Sequence, residues 1–155
     1  MKRFSAITLS ALTLGAVSIM AAGCSDDARV SKAIGKLVDE RESETIRLAE
    51  ATSFAWDQVY LFGPYTARRH VCTTLGIQEE HCERQIPFES QDDGDMSIAF
   101  LAEGRLVYYA RHSRANGDFT PVPAGQPLSR DRAVFRSLRD GEGQGGLARG
   151  KLVLE

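Results

Sequence analysis

From Val30 onward, apolar residues return at steps of three and four: Val30, Ile34, Leu37 and Val38, with Thr45, Leu48 and Ala49 keeping roughly to the same side. That spacing predicts an amphipathic helix over 29–51, even though its middle, DERESE, is almost wholly charged. At Ser53 the pattern changes. In SFAWDQVYLFGPYT, Phe54, Trp56, Tyr60 and Phe62 fall on one side of a strand, and Val59 and Leu61 on the other. A strand apolar on both faces belongs inside a covered sheet. Gly63-Pro64 ends it, since proline lacks the ladder donor. Thr66 is then placed to cap a short helix through its hydroxyl. Ala67, Val71 and Leu75 form the buried edge of that helix, and Gly76 ends it in a left-handed cap.

Polar residues fill the following stretch, IQEEHCERQIPFESQDDGD, which reads as a loop with a turn at 92–95. Alternation returns at MSIAFLAEGRLVYYARHSR. Ile98 and Phe100 point one way, Glu103-Gly104 makes a turn, and the chain comes back with Leu106, Tyr108 and Ala110 on one face. Val107, Tyr109 and Arg111 take the other face of this hairpin. ANGDF turns again, and the three prolines of TPVPAGQP make an extended connector. RAVFRSLRD suits a strand or a short helix after Ser129, and adjacent Val134 and Phe135 favour the strand. GEGQGGLARG is expected to be a flexible loop and KLVLE a closing strand. The sum is an α+β domain over 30–155, an antiparallel sheet of four to five strands packed by one or two helices.

The N-terminus bears on location. Lys2 and Arg3 precede an uncharged apolar stretch from Phe4 to Met20, and Ala21-Ala22-Gly23 then leads to Cys24. This is the layout of an export signal, and the stretch is short for a membrane span, which needs roughly 20 apolar residues. Small residues directly before a cysteine resemble the lipobox of bacterial lipoproteins, with Ala21 standing where leucine is commoner. That resemblance implies cleavage after residue 23, acylation at Cys24, and a polar leash over 24–29. One acyl chain binds only marginally, whereas two or more hold a protein to the membrane. Ser25, where inner-membrane lipoproteins of Gram-negative bacteria often carry Asp, implies sorting to the outer membrane with the body facing the periplasm.

Charge narrows the partners. The chain carries 19 basic against 21 acidic side chains, and two of the basic ones lie in the predicted signal. The processed chain is therefore acidic, without the basic stripe of a nucleic-acid binder. Of its three cysteines, Cys24 is assigned to lipid, which leaves Cys72 and Cys82 as an even pair in an oxidising compartment. A disulfide between them is expected. The alternative, a metal cluster with His70 and His81, has ligand types that zinc accepts but an unfamiliar spacing.

The pattern W-D-x-V-Y-x-F-x-P-Y-T is set by Trp56, Asp57, Val59, Tyr60, Phe62, Pro64, Tyr65 and Thr66. Leu75-Gly76-Ile77 follows it. Together they resemble a widespread set of small bacterial envelope proteins and lipoproteins, with a looser match over the hairpin at 96–112. A fainter similarity is to the small outer-membrane lipoproteins of the barrel-assembly machinery. Both bear on fold and envelope location, and neither brings an established activity or cofactor to transfer.

A nucleophile with its base is not evident: His112-Ser113 are only sequence neighbours, and no G-x-S-x-G turn occurs. Two function classes follow. The favoured one is a non-enzymatic module that binds an envelope protein, using Trp56, Asp57, Tyr65, Thr66, Arg68 and Arg69 around the turn. Tyrosine and arginine are enriched at binding hot spots, and free N–H groups of a helix start can hold a carboxylate. The other is a small hydrolase or transferase in which the fold brings Asp57, half-buried in the strand, to His112.

Overall fold

The computed structural model describes residues 28–41, 45–123, 125–138 and 150–155. The predicted signal over 1–23 and Cys24, the expected lipid site, lie outside these residues, as do the expected leash and glycine-rich loop for all but their last positions. The fold is α+β, and its strands divide between two antiparallel sheets.

The first helix, α1 (Arg29–Glu40), buries Val30, Ile34 and Val38, as the spacing predicts. It is shorter than expected. Past the charged run the chain becomes a strand, β1 (Thr45–Arg47), and then a 3-10 turn, Leu48–Ala51. Ile46 pairs across to Phe135, and Ile46 and Leu48 are both buried. A partner about ninety residues away thus overrides the helical reading, and the β-branched Thr45-Ile46 suit the strand.

β2 (Gln58–Phe62) begins later than the aromatic pattern implies. Tyr60 and Phe62 stack on one face, whereas Phe54 and Trp56 lie before the strand and pack on Phe100 of the opposite face. β2 stops at Gly63-Pro64. α2 (Arg68–Leu75) follows and ends at Gly76, whose φ of 66° and N–H bonds to Cys72 and Thr73 form the left-handed cap.

A second short helix, α3 (Glu79–Gln85), replaces the expected loop. None of its residues is fully buried, so it carries no apolar periodicity to read. Glu79 and Glu80 in its first turn and Arg84 in its last suit the helix dipole. The Cys72–Cys82 disulfide, with Cα atoms 5.8 Å apart, ties α3 to α2.

β3 (Asp95–Ala102) and β4 (Arg105–Ser113) form the hairpin, with positive φ at both Glu103 and Gly104 as a two-residue turn of the right twist needs. One irregularity alters its faces. Phe100 pairs with Tyr108 but Leu101 pairs with Leu106, so Val107 is an extra residue in β4 and stands 47% exposed. This bulge moves Leu106 from the side of Tyr108 and Ala110 to the side of Tyr109. A short strand, β5 (Leu128–Ser129), completes the sheet in the order β4-β3-β2-β5.

The C-terminal segments β6 (Val134–Leu138) and β7 (Lys151–Leu154) are both strands and join β1 in the order β1-β6-β7. The loop after β4 passes close to β7. At Gly117, with φ of 131°, a Cβ would stand 2.7 Å from Leu152 Cδ1, so only glycine fits.

The four-stranded sheet is therefore a middle layer. One face packs on α1 and the smaller sheet through Val59, Leu61, Ile98, Phe100, Phe119 and Phe135. The other packs under α2 and α3 through Phe62, Val71, Ile86, Phe88, Ala99 and Tyr109. Among the described residues no helix is long and apolar enough to cross a membrane.

Candidate functional site

The turn after β2 is built to hold one aromatic ring outward. Tyr65 has a φ of 58° and is 63% exposed. Residues with a Cβ rarely adopt this backbone region, and such outliers persist where surrounding contacts hold them. Here the Tyr65 N–H donates to Ser90 Oγ at 3.1 Å, and that hydroxyl donates in turn to the Asp95 carbonyl at 2.5 Å. Arg69, four residues on in α2, is also exposed.

Thr66 does not cap α2. Its hydroxyl donates back to the Gly63 carbonyl at 2.7 Å, and the N-cap residue is Ala67. Glu89 does the capping from another segment, its Oε2 accepting the Arg68 N–H at 2.7 Å. Any carboxylate held by this helix start is thus supplied by the chain itself. Glu89 shows no local sequence signal, because its approach to α2 is a tertiary event.

Two residues assigned to the binding surface are placed elsewhere. Trp56 is only 4% exposed, its Nε1 donates to Thr52 Oγ1 at 2.9 Å, and the Arg130 guanidinium lies 5.2 Å from its ring. Its role is core packing. Asp57 is exposed rather than half-buried, since β2 has not yet begun. Its Oδ2 accepts the Glu103 N–H at 2.7 Å and so braces the β3–β4 turn.

His112 is fully buried. Its Nε2–H donates to the Gly117 carbonyl at 2.7 Å and its ring packs 5.1 Å from Phe119, while Nδ1 has no partner. Burial lowers its pKa to about 4, against the opposing pull of the Gly117 carbonyl and Asp118. Asp57 and His112 are not brought together. His112 pairs with Met96 and Asp57 bonds to Leu101, five residues along β3, or about 16 Å at the strand's rise.

Around His112 runs a polar seam that sequence reading missed. Ser31 of α1, 2% exposed, accepts from the Ser113 N–H and from Asn116 Nδ2. Asp118 accepts from Arg114 at 2.8 Å and from both the N–H and hydroxyl of Thr120. Those donors hold its carboxyl below the ordinary value, although burial pushes the other way.

Arg68 stands between two clefts. One, of about 590 Å³, runs beside the disulfide between α2 and α3, with Arg69, Thr73, Ile77 and Glu79 in its walls. The other, of about 300 Å³, lies between Arg68, the 87–92 segment and Arg111. Beneath α2, Tyr109 is 8% exposed. Burial raises its pKa, with the nearby Ser97 hydroxyl and Arg68 charge acting against this. Tyr109 Oη and Ser97 Oγ lie buried beside one another, and Arg68 Nε is buried without a hydrogen-bond partner.

Cys72 and Cys82 are consumed by their disulfide, and His70 is exposed. Among the described residues no group of three or more His, Cys, Asp or Glu side chains could hold a metal ion. Compared with family models, with curated proteins and with solved structures, the chain matches none, so its site is read from its own residues.

Proposed function

We propose that this chain is a lipid-anchored envelope protein, held to the outer membrane through acyl groups on Cys24 and facing the periplasm. There it works as a non-enzymatic binding module for an envelope protein. The Cys72–Cys82 disulfide supports an oxidising compartment. The observation that carries the binding role is Tyr65, a largely exposed ring kept in a left-handed backbone by Ser90, with Arg69 exposed four residues on. A strained, outward aromatic has no use in packing, whereas exposed tyrosine and arginine suit a protein interface.

In-cell crosslinking followed by mass spectrometry tests this reading, comparing wild type with Tyr65→Gly and Arg69→Ala. Glycine relieves the backbone strain, so Tyr65→Gly is expected to raise stability by about 1 kcal/mol while losing a discrete partner. A partner set identical in all three proteins rules out the turn as the contact. Cys24→Ser is expected to release the protein from the membrane fraction, and retention there would refute the anchor.

A further inference from the structure

We infer that the protein met by the Tyr65 turn is embedded in the same membrane that holds Cys24, and touches the turn at the level of the bilayer surface. This placement rests on the function proposed above, a lipid at Cys24 and a protein contact at Tyr65.

The length of the leash comes first. Ala28, the start of the described chain, follows Cys24 by four residues. Fully extended, four residues span about 14 Å. The start of α1 is therefore kept within that distance of the acylated cysteine, whatever path the leash takes.

Hydrogen bonds then lead from the start of α1 to Tyr65. Ser31 Oγ, in the first turn of α1, accepts the N–H of Ser113, the last residue of β4. Ser113 pairs with Asp95, the first residue of β3. The Asp95 carbonyl accepts from Ser90 Oγ, and that oxygen accepts the Tyr65 N–H. Phe62 pairs with Ser97, and Ser97 with Arg111, so the last residue of β2 lies at this same end of the sheet. β4 and β2 are two strand spacings apart, about 10 Å. Tyr65 thus belongs to the end of the four-stranded sheet at which the leash enters.

Size decides what fits there. A folded domain of about a hundred residues has a radius of gyration of about 13 Å, and so measures about 30 Å across. A leash of about 14 Å leaves no room for such a body between this end and the bilayer. A protein already seated in the membrane needs none. The lipid surface itself is the weaker occupant, because binding to it scales with the apolar area inserted. Among the described residues, Tyr65 is the one large apolar side chain exposed at this end. Val107 lies toward the far end of β4, and Leu138, Val153 and Leu154 belong to the smaller sheet. One ring inserts little area into a bilayer, whereas one tyrosine can dominate a protein interface. Exposed Arg69, Asp92 and Asp93 add a mixed charge that an anionic surface does not select.

A photoreactive benzoyl-phenylalanine at Ala67, exposed two residues after Tyr65, leaves the tyrosine in place and tests this in cells. The expected adduct is with a protein that stays in the membrane pellet through an alkaline carbonate wash. Tyr65→Gly is expected to weaken it at least about tenfold. A rigid helical insert of about 20 residues between Asp27 and Ala28, about 30 Å long, is expected to do the same, whereas a glycine-serine insert of equal count keeps most of the adduct. A partner released by the wash, or capture indifferent to the rigid insert, overturns the placement and leaves the Tyr65 contact standing. No adduct, an adduct with lipid alone, or one unchanged by Tyr65→Gly overturns both.

Discussion

On one face of the four-stranded sheet, Val59, Ile98 and Phe100 meet α1 and the smaller sheet. On the other, Phe62, Ala99 and Tyr109 meet two short helices pinned by Cys72–Cys82. The first face is covered by segments from both ends of the described chain, the second by residues close in sequence to the sheet itself. Long-range apolar burial closes the first. The second has helices of eight and seven residues, one of which buries no residue of its own, so a covalent link and a carboxylate cap hold it. Buried polar side chains lie under both covers, Ser97 and Tyr109 on the second face and Ser31 and His112 on the first.

Truncating the first face should have the largest effect. Phe100 is fully buried against Phe54 and Trp56, and Phe100→Ala is expected to cost about 3–5 kcal/mol in urea unfolding. A cost below that of removing the disulfide would invert the comparison.

Acid should weaken the same half next. The unfolded chain takes a proton on His112 near pH 6.5, while the buried ring refuses it until about pH 4. Stability from this group is full above pH 6.5 and is lost progressively as pH falls to 4, by about 3 kcal/mol. Unfolding measured at pH 7 and 4.5 checks the slope, and His112→Phe is expected to flatten it. Asp118, whose pKa is lowered, contributes above its unfolded value of 3.8 and loses this only below that pH, so the two windows are separable.

Removing the disulfide with Cys72→Ala and Cys82→Ala is expected to cost about 2–3 kcal/mol. The location of the loss sharpens the comparison. Amides of α2 and α3 should exchange faster, while those of β2, β3 and β6 keep their protection. Uniform loss across both faces would show that the two halves open as one unit.

Legibility followed the range of the forces. The β3–β4 hairpin, its Glu103-Gly104 turn, the Gly76 cap and the Cys72–Cys82 pairing were readable because alternation, turn chemistry and cysteine count are local or nearly so. The helix reading over 45–51 failed because β1 exists only through β6. The Thr66 cap failed because Glu89 reaches α2 first. The alternation puts Trp56 on the face of Tyr60 and Phe62, yet β2 starts two residues after it and its ring packs on Phe100 of the opposite face. Of the candidate site, Tyr65, Arg68 and Arg69 were legible, whereas Ser90, Glu89, Tyr109 and Arg111 were not.

By itself the sequence determined the α+β class, the elements whose apolar period and turn residues agree, and the charge balance that argues against nucleic acid. Tertiary structure alone decided that the strands form two sheets and that a bulge turns Leu106 over. It also kept Asp57 and His112 apart, and it buried Ser97 and Tyr109 on the face under α2 and α3. The physical reason is that period and turn chemistry act over a few residues. Register between distant strands and the approach of one carboxylate to another segment's N–H depend on how the whole chain excludes water.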